Sequence, residues 1–240
     1  MLTIDFERLA IAPGSTVLDL GCGEGRHCIH AYLLHDSIRS VGVDLNFSDL
    51  RSAQKKLGEF PVEPSAQANK QIGLYCANGL QLPFATHSFD VVICSEVLEH
   101  IADYPAMLGE ITRVVKPDGV LAISVPRAWP EHICWWLCEA YHRVEGGHIR
   151  IFNAARLQRE IGQFGFEQRA KHWAHALHVP YWWLKCLFWQ WPNNYLLRAY
   201  HRLLVWDLMQ RPRLTRALDA LLNPVMGKSV VMYFDRESGL

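Results

Sequence analysis

The sequence predicts an α/β fold: a doubly wound, mainly parallel sheet of seven strands with a helical, tryptophan-rich cap inserted before the last strand. Three observations predict it. Residues 17–27, VLDLGCGEGRH, read as a buried strand that breaks into a glycine turn and then a helix. Behind them, short apolar runs alternate with helical segments as far as Pro126, as expected of parallel strands joined by crossover helices. More than 50 residues then separate the last two strand-like runs, too many for a plain connection.

Taken in order, residues 3–12 form a short helix or cap, and Pro13-Gly14 turns the chain into strand 16–20. At Gly21, Gly23 and Gly25 bare backbone can approach a ligand, because a Cβ would hold the ligand off the N–H groups. A helix follows near 25–35. The second strand, 39–43, ends in Asp44, 19 residues after Gly25, where a carboxylate can accept hydrogen bonds from both hydroxyls of a ribose lying across the first strand. The next helix carries Arg51, Lys55 and Lys56 and leads through a polar, proline-containing loop at 61–71 to strand 72–76. Ala77-Asn78-Gly79 comes next, then LPF at 82–84.

Strand 89–94, FDVVIC, is apolar enough to be buried on both faces, and it opens into SEVLEHI. A helix at 103–115 ends in Lys116-Pro117-Asp118-Gly119, and strand 120–125 stops at Pro126. An aromatic helical segment at 130–142, the Gly146-Gly147-His148 turn, a helix at 153–164 and strands near 166–172 and 229–234 complete the reading. In the insertion, at about 175–225, leucines and aromatics recur at helical spacing beside Arg198, Arg202, Arg211, Arg213 and Arg216.

A length of 240 residues suits one domain, 1–240, in which 1–126 forms a ligand-binding core, 127–165 a substrate-side segment and 166–240 the last strands with their cap. The formal charge is balanced overall, but residues 1–128 hold 10 Lys/Arg against 15 Asp/Glu, and 129–240 hold 14 against 9. All nine tryptophans fall in the basic half. Seven cysteines without C-x-x-C spacing argue against a disulfide framework and for a reducing cytosol; Cys134 and Cys138, on one helix face, are assigned to packing. Charges near the N-terminus argue against a signal peptide, and His175, His178, Pro180 and Lys185 interrupt the most apolar stretch, 173–191. The expected location is the cytoplasm, or the inner face of its membrane.

VLDLGCGEG, VGVD, ANGLQLPF, FDVVICSEVLEHI and VVKPDGVLAISVP resemble, in order and spacing, the class I S-adenosylmethionine-dependent methyltransferases, which have a Rossmann-like fold. Within these, the resemblance is to the small-molecule group that includes the ubiquinone-pathway methyltransferases. It covers residues 13–126, about half the chain. It implies that Asp19 and the backbone of Gly21, Cys22, Gly23 and Gly25 hold the methionine part of the cofactor and that Asp44, followed by Leu45, holds the ribose. Asn78, followed by Gly79, stands where the family has an aspartate near the adenine amino group, and an amide oxygen can accept the same hydrogen bond. Ser95 and Glu96 are implied beside the sulfonium and the incoming nucleophile. A nicotinamide dinucleotide site is the alternative, but its fingerprint wants a third glycine where this chain has Arg26.

Glu96, Glu99 and His100 stand at i, i+3 and i+4, which would put them on one face of a helix after the fourth strand. Two carboxylates and an imidazole suit a hard or borderline divalent ion, such as magnesium, manganese or zinc. The E-x-x-E-H pattern also resembles that of the small-RNA 2′-O-methyltransferases and the ubiquinone O-methyltransferases. In those, a further histidine comes from beyond the fifth strand, and His148 is the candidate here, with His142 in reserve. In a metal-free site, His100 or His148 becomes the general base. His27, His30 and His35 are assigned to a helix surface and His87 to a loop.

Trp135, Trp136, Trp173, Trp182, Trp183, Trp189 and Trp191, with Tyr181 and Phe188, exceed what a small cap needs to pack itself. Either they line a pocket for a lipophilic substrate such as a prenylated ring, polyketide or lipid-linked sugar, or the 175–216 cap makes peripheral contact with a membrane. The bland alternative makes them the cap's own core and the arginines its solvated face. Nucleic acid is not an expected partner, since no RNA-binding motif accompanies the basic residues. The expected activity is O-methylation of a lipophilic small molecule. The alternatives are a metal-free C- or N-methyltransferase, a cofactor-binding scaffold without turnover, and a membrane-anchoring module.

Overall fold

Apolar side chains on both faces of each central strand require helices above and below the sheet. The computed structural model describes residues 1–60, 71–144, 146–210 and 212–237. Its strands are β1 (Thr16–Leu20), β2 (Arg39–Asp44), β3 (Gln71–Cys76), β4 (Phe89–Ser95), β5 (Val115–Pro126), β6 (Phe166–Ala174) and β7 (Ser229–Arg236). They form one sheet in the order β3-β2-β1-β4-β5-β7-β6. Neighbouring strands from β3 to β5 pair in parallel, and β7 runs against both β5 and β6. Alternation along the strands divides the core: Leu18, Leu20, Val92, Cys94, Leu121 and Ile123 face one side, and Val17, Val91, Ile93 and Ala122 the other.

The helices α1 (Arg26–Leu34), α2 (Phe47–Leu57), α3 (Tyr104–Val114), α4 (Ala128–Leu137), α5 (Glu139–Arg143) and α6 (Ala154–Gly162) follow. Asn46, Asp103 and Asn153 cap α2, α3 and α6 by accepting hydrogen bonds from first-turn backbone N–H groups. Helix α1 begins at the glycine turn, where Gly25 offers no side-chain cap and the Asp19 carboxylate instead accepts from the first-turn Cys28 N–H at 3.0 Å. Between β6 and β7 lie a 3-10 turn at Ala176–His178 and helices α7 (Val179–Leu187), α8 (Tyr195–Gln210) and α9 (Arg213–Met226). Among the described residues no helix is long and apolar enough to cross a membrane. The polar loop expected at 61–71 lies outside the described residues up to 70, as does Arg211.

Four local expectations are corrected. Residues Leu98–His100 form a 3-10 turn rather than a helix, so Glu96 does not share a helical face with Glu99 and His100. The aromatic helix breaks at Cys138, which is extended between α4 and α5, although Cys134 and Cys138 still share one apolar cluster with Cys186 of the cap. Strand β5 begins before the Lys116–Gly119 turn: Val115 pairs with Phe89 and Val120 with Val91, so the turn is looped out within the strand. His27 is buried, where it accepts a hydrogen bond from the Thr3 backbone N–H, and burial pushes its pKa down to about 3.

Candidate functional site

The carboxyl ends of β1, β2 and β4 meet at one edge of the sheet, and the glycine turn lies across it. Gly21 and Cys22 donate backbone N–H to Val43 O at 2.8 and 2.9 Å, which ties the turn to β2. Gly21, Gly23 and Gly25 have φ of +70°, +51° and +81°, a region L residues rarely adopt. A Cβ at Gly21 would strike Val97, whereas one at Gly23 would meet nothing within 4 Å, so the turn is tight beneath and open above.

Asp44 stands at the tip of β2. Its Oδ2 accepts from Gly23 N at 2.7 Å and its Oδ1 from Asn46 N at 2.8 Å. Each carboxylate oxygen retains acceptor capacity for a further donor, such as a ribose hydroxyl. Leu45 and Phe47, just beyond it, are exposed, as is Leu80 after β3. Asn78 Oδ1 accepts from Leu80 N at 3.0 Å, and Gly79 backs onto Met107. Cys22 is absent from the open side; its thiol packs with Cys28, Ile29 and Leu50.

Asp19 is buried under the turn. Its Oδ2 accepts from Cys28 N at 3.0 Å, but its Oδ1 has no hydrogen-bond partner, with His27 Nδ1 3.9 Å away. Burial raises its pKa to about 7.

A hydroxyl chain runs from β4 into β5. Ser95 Oγ lies 2.8 Å from Ser124 Oγ, which donates to Glu96 Oε1 at 2.9 Å, and Glu96 Oε2 faces Lys228 Nζ at 3.6 Å. Glu96 holds φ +57°, a costly conformation for a side-chain-bearing residue and one concentrated at functional sites. Glu96 is therefore occupied by Ser124 and Lys228.

Glu99, His100 and His148 present one ligand atom each within 4.8 Å of one another, the geometry of a candidate metal site. Glu99 is 0% exposed and neither of its carboxylate oxygens has a hydrogen-bond partner. Burial, and next the nearby Glu96 charge, push its pKa well above the carboxylate range. His100 Nδ1 lies 3.2 Å from Gly147 O and can only donate to it, which leaves Nε2 as the acceptor, 4.0 Å from Glu99 Oε1. Burial, and then His148, hold His100 below the usual histidine range. His148 Nδ1 lies 2.5 Å from Glu131 Oε1, and the Ile149 N–H bond to Glu99 O at 3.0 Å pins this segment beside Glu99.

Burial opposes ionisation of Glu131, but its hydrogen bond to His148, the neighbouring imidazole and Lys228 hold its pKa below the usual range. Trp135 Nε1 donates to the same carboxylate at 3.2 Å. Both imidazoles are thus oriented through Nδ1 by an oxygen acceptor, as metal-ligating histidines commonly are. The reserve candidate His142 instead stacks on Trp135, with ring centroids 4.1 Å apart.

A cavity of about 250 Å³ opens here, lined by Arg26, Glu96, His148, His175, Trp182 and Lys228 among others. A larger hollow of about 620 Å³, against Phe6 and His30, contains none of the groups above, so chemistry rather than volume locates the site. Trp182 belongs to the cap, which packs on α4 and α5 through Trp135, Trp182, Trp183 and Trp189 around Cys134, Tyr141 and Cys186. These four thus share one apolar cluster, with Trp182 also on the cavity wall, while Trp136, Trp191 and Trp206 are exposed.

Glu131, Ser124 and Lys228 were not singled out in the sequence. Only Glu131 left a signal there, as an acid 17 residues before His148 in an otherwise aromatic helix.

A family model described as a methyltransferase domain matches residues 4–171. The chain is 36% identical over 117 residues to a demethylmenaquinone methyltransferase of Corynebacterium urealyticum, covering 49% of this chain and 44% of that one. An O-methyltransferase of Aspergillus nomiae is 33% identical over 118 residues, covering 49% of each chain. The chain thus spans less than half the length of these relatives. Its fold is similar to that of an S-adenosylmethionine-dependent methyltransferase from Methanosarcina mazei, with a TM-score of 0.62 and 14% identity over 99% of this chain and 100% of that one.

Proposed function

The chain belongs to the methyltransferase domain family, and from that membership and the site we infer that it transfers the methyl group of S-adenosylmethionine to a hydroxyl of a lipophilic small molecule. In this reading a divalent cation sits at Glu99, His100 and His148. The observation that carries the metal is Glu99, a buried carboxylate with two unpartnered oxygens beside two imidazoles whose Nε2 atoms are left as acceptors. A buried acid without partners is costly, and a cation would supply the missing counter-charge.

Bound S-adenosylmethionine supplies an electrophilic methyl group on a sulfonium. The chain's residues fit it in three places: Asp44 for the ribose, the glycine turn ahead of α1 for the carboxylate, and the Asp19 Oδ1 beneath that turn, which has no hydrogen-bond partner, for the ammonium. Leu45, Phe47 and Leu80 offer exposed apolar surface for the adenine. Methyl transfer is a displacement in line, so alignment is the main contribution asked of these residues. A divalent ion supplies positive charge that eases proton loss from a neighbouring hydroxyl. Trp182 on the cavity wall and the relative named for demethylmenaquinone favour a lipophilic acceptor such as a prenylated ring, and the relative named as an O-methyltransferase favours transfer to oxygen.

The His148–Glu131 contact favours a second reading, in which a metal-free site uses His148 as general base and Glu131 as its orienting carboxylate. Chelation separates the two: activity that survives EDTA in metal-free buffer supports the base, and activity restored only by added divalent ion supports the metal. In the metal reading, Glu131→Gln is expected to weaken divalent-ion binding about 10- to 100-fold, because His148 loses its orienting partner. Metal titration checks this, with affinity for S-adenosylmethionine unchanged as the control.

A pH prediction follows from Asp19. With its pKa raised to about 7, the buried group is protonated and neutral below that pH, and its ionisation destabilises the fold as pH rises from the ordinary aspartate range through 7. A ligand ammonium favours the carboxylate form. Affinity for S-adenosylmethionine is therefore expected to rise as pH climbs through 7, and Asp19→Asn to flatten that rise; a calorimetric pH series decides it.

A further inference from the structure

Helix α9 is docked by its polar side and turns its apolar side out. Asp219 and Asn223 accept hydrogen bonds from Leu177 N and Ala176 N at 3.0 and 2.9 Å, and Thr215 bonds Asp207 of α8. Leu214, Leu218, Leu221 and Val225, spaced at i, i+4, i+7 and i+11, share the outer stripe and are 80%, 42%, 73% and 66% exposed. Solvent normally faces the polar side of an amphipathic helix, so this orientation calls for an apolar medium outside.

Helix α8 packs inward through Leu197 and Leu204 and leaves a mixed aromatic and basic face outside. Tyr195, Arg198, Arg202, Trp206 and Met209 recur along one exposed face. Its acid is inward: Asp207 is taken by Thr215, while Arg198, Arg202, Arg213 and Arg216 are exposed. Outward cations with inward acids, beside exposed tryptophan, tyrosine and leucine, match the chemistry of an anionic lipid surface, where long basic side chains reach the headgroups.

We propose that the outer faces of α8 and α9 dock this protein on an anionic lipid bilayer. The surface connects to the candidate site through α7, whose Tyr181 lines a surface cleft with Arg198 and Arg202 while the adjacent Trp182 lines the site cavity. A lipophilic acceptor would then enter from the bilayer side; that extension rests on the methyltransferase reading, whereas the docking face does not.

Flotation of the full chain with phosphatidylcholine vesicles, with and without phosphatidylglycerol, tests the proposal. The chain is expected to float with phosphatidylglycerol at low salt and to be released by high salt. Leu214→Asp with Leu221→Asp, both at exposed positions, is expected to lower the bound fraction at least about tenfold. Arg198→Glu with Arg202→Glu is expected to remove the preference for phosphatidylglycerol. S-adenosylmethionine should stabilise all of these variants against heat as it does the parent, so loss of flotation is distinguishable from loss of the donor site. A chain that stays at the bottom with anionic vesicles at low salt overturns the proposal. So does a dimer that Leu214→Asp makes monomeric while flotation is unchanged, since the face would then belong to a second copy.

Discussion

Glu99→Ala is expected to abolish divalent-ion binding and to lower kcat by about 1000-fold, equivalent to about 4 kcal/mol of lost transition-state stabilisation. The carboxylate is the only fully buried ligand candidate in its group, and no other described side chain takes its place between His100 and His148. Metal analysis and turnover on the same preparations check this. Glu99→Gln separates the chemical effect from damage to the fold: it removes a buried acid of raised pKa while keeping volume. That variant is expected to melt no lower than the parent in EDTA and, unlike the parent, to gain nothing when divalent ion is added. A parent whose melting temperature is insensitive to magnesium, manganese and zinc would count against the metal.

Asp44→Ala should have the largest effect on donor binding. Two hydrogen bonds from ribose hydroxyls to a carboxylate are together worth about 3 to 6 kcal/mol, a loss of about 100-fold or more in affinity. The substitution also frees Gly23 N and Asn46 N, which now hold the glycine turn and the start of α2 against that carboxylate. The stabilisation of the parent by S-adenosylmethionine on heating is expected to vanish in Asp44→Ala and to return only in part in Asp44→Asn. Equal stabilisation of parent and Asp44→Ala would remove the ribose from this site.

Much of the cofactor edge was legible because it depends on local chemistry. VLDLG and FDVVIC declare buried strands by their apolar runs, the glycines declare the turn, and Asp44 follows its strand directly. The seven-stranded order with β7 reversed agrees with an insertion before the last strand. Reading failed where tertiary partners decide. SEVLEHI has helical spacing, yet Glu96 takes a left-handed conformation with its side chain bound to Ser124 and Lys228, residues that lie far away in sequence, and a 3-10 turn stands where a helix was expected. His27 looked exposed because its buried partner, Thr3, belongs to a segment whose packing carries no periodic signal.

The cap shows the same division. Composition announced its aromatic content, and helical spacing announced its helices, but neither says which side of an amphipathic helix meets the protein. Asp219 and Asn223 settle that for α9 by bonding the 3-10 turn after β6, which leaves the leucines outside. Glu131 was legible only as an isolated acid among tryptophans; its partner His148 lies 17 residues on, beyond the α4–α5 break at Cys138, and only the folded chain shows the pairing.

The most direct test of the account is calorimetric titration of the full chain with S-adenosylmethionine at a pH above 7, where Asp19 is ionised. Saturable binding at a single site, lost in Asp44→Ala, is the predicted result; no heat of binding by the parent chain, or the same isotherm for the parent and Asp44→Ala, would contradict it.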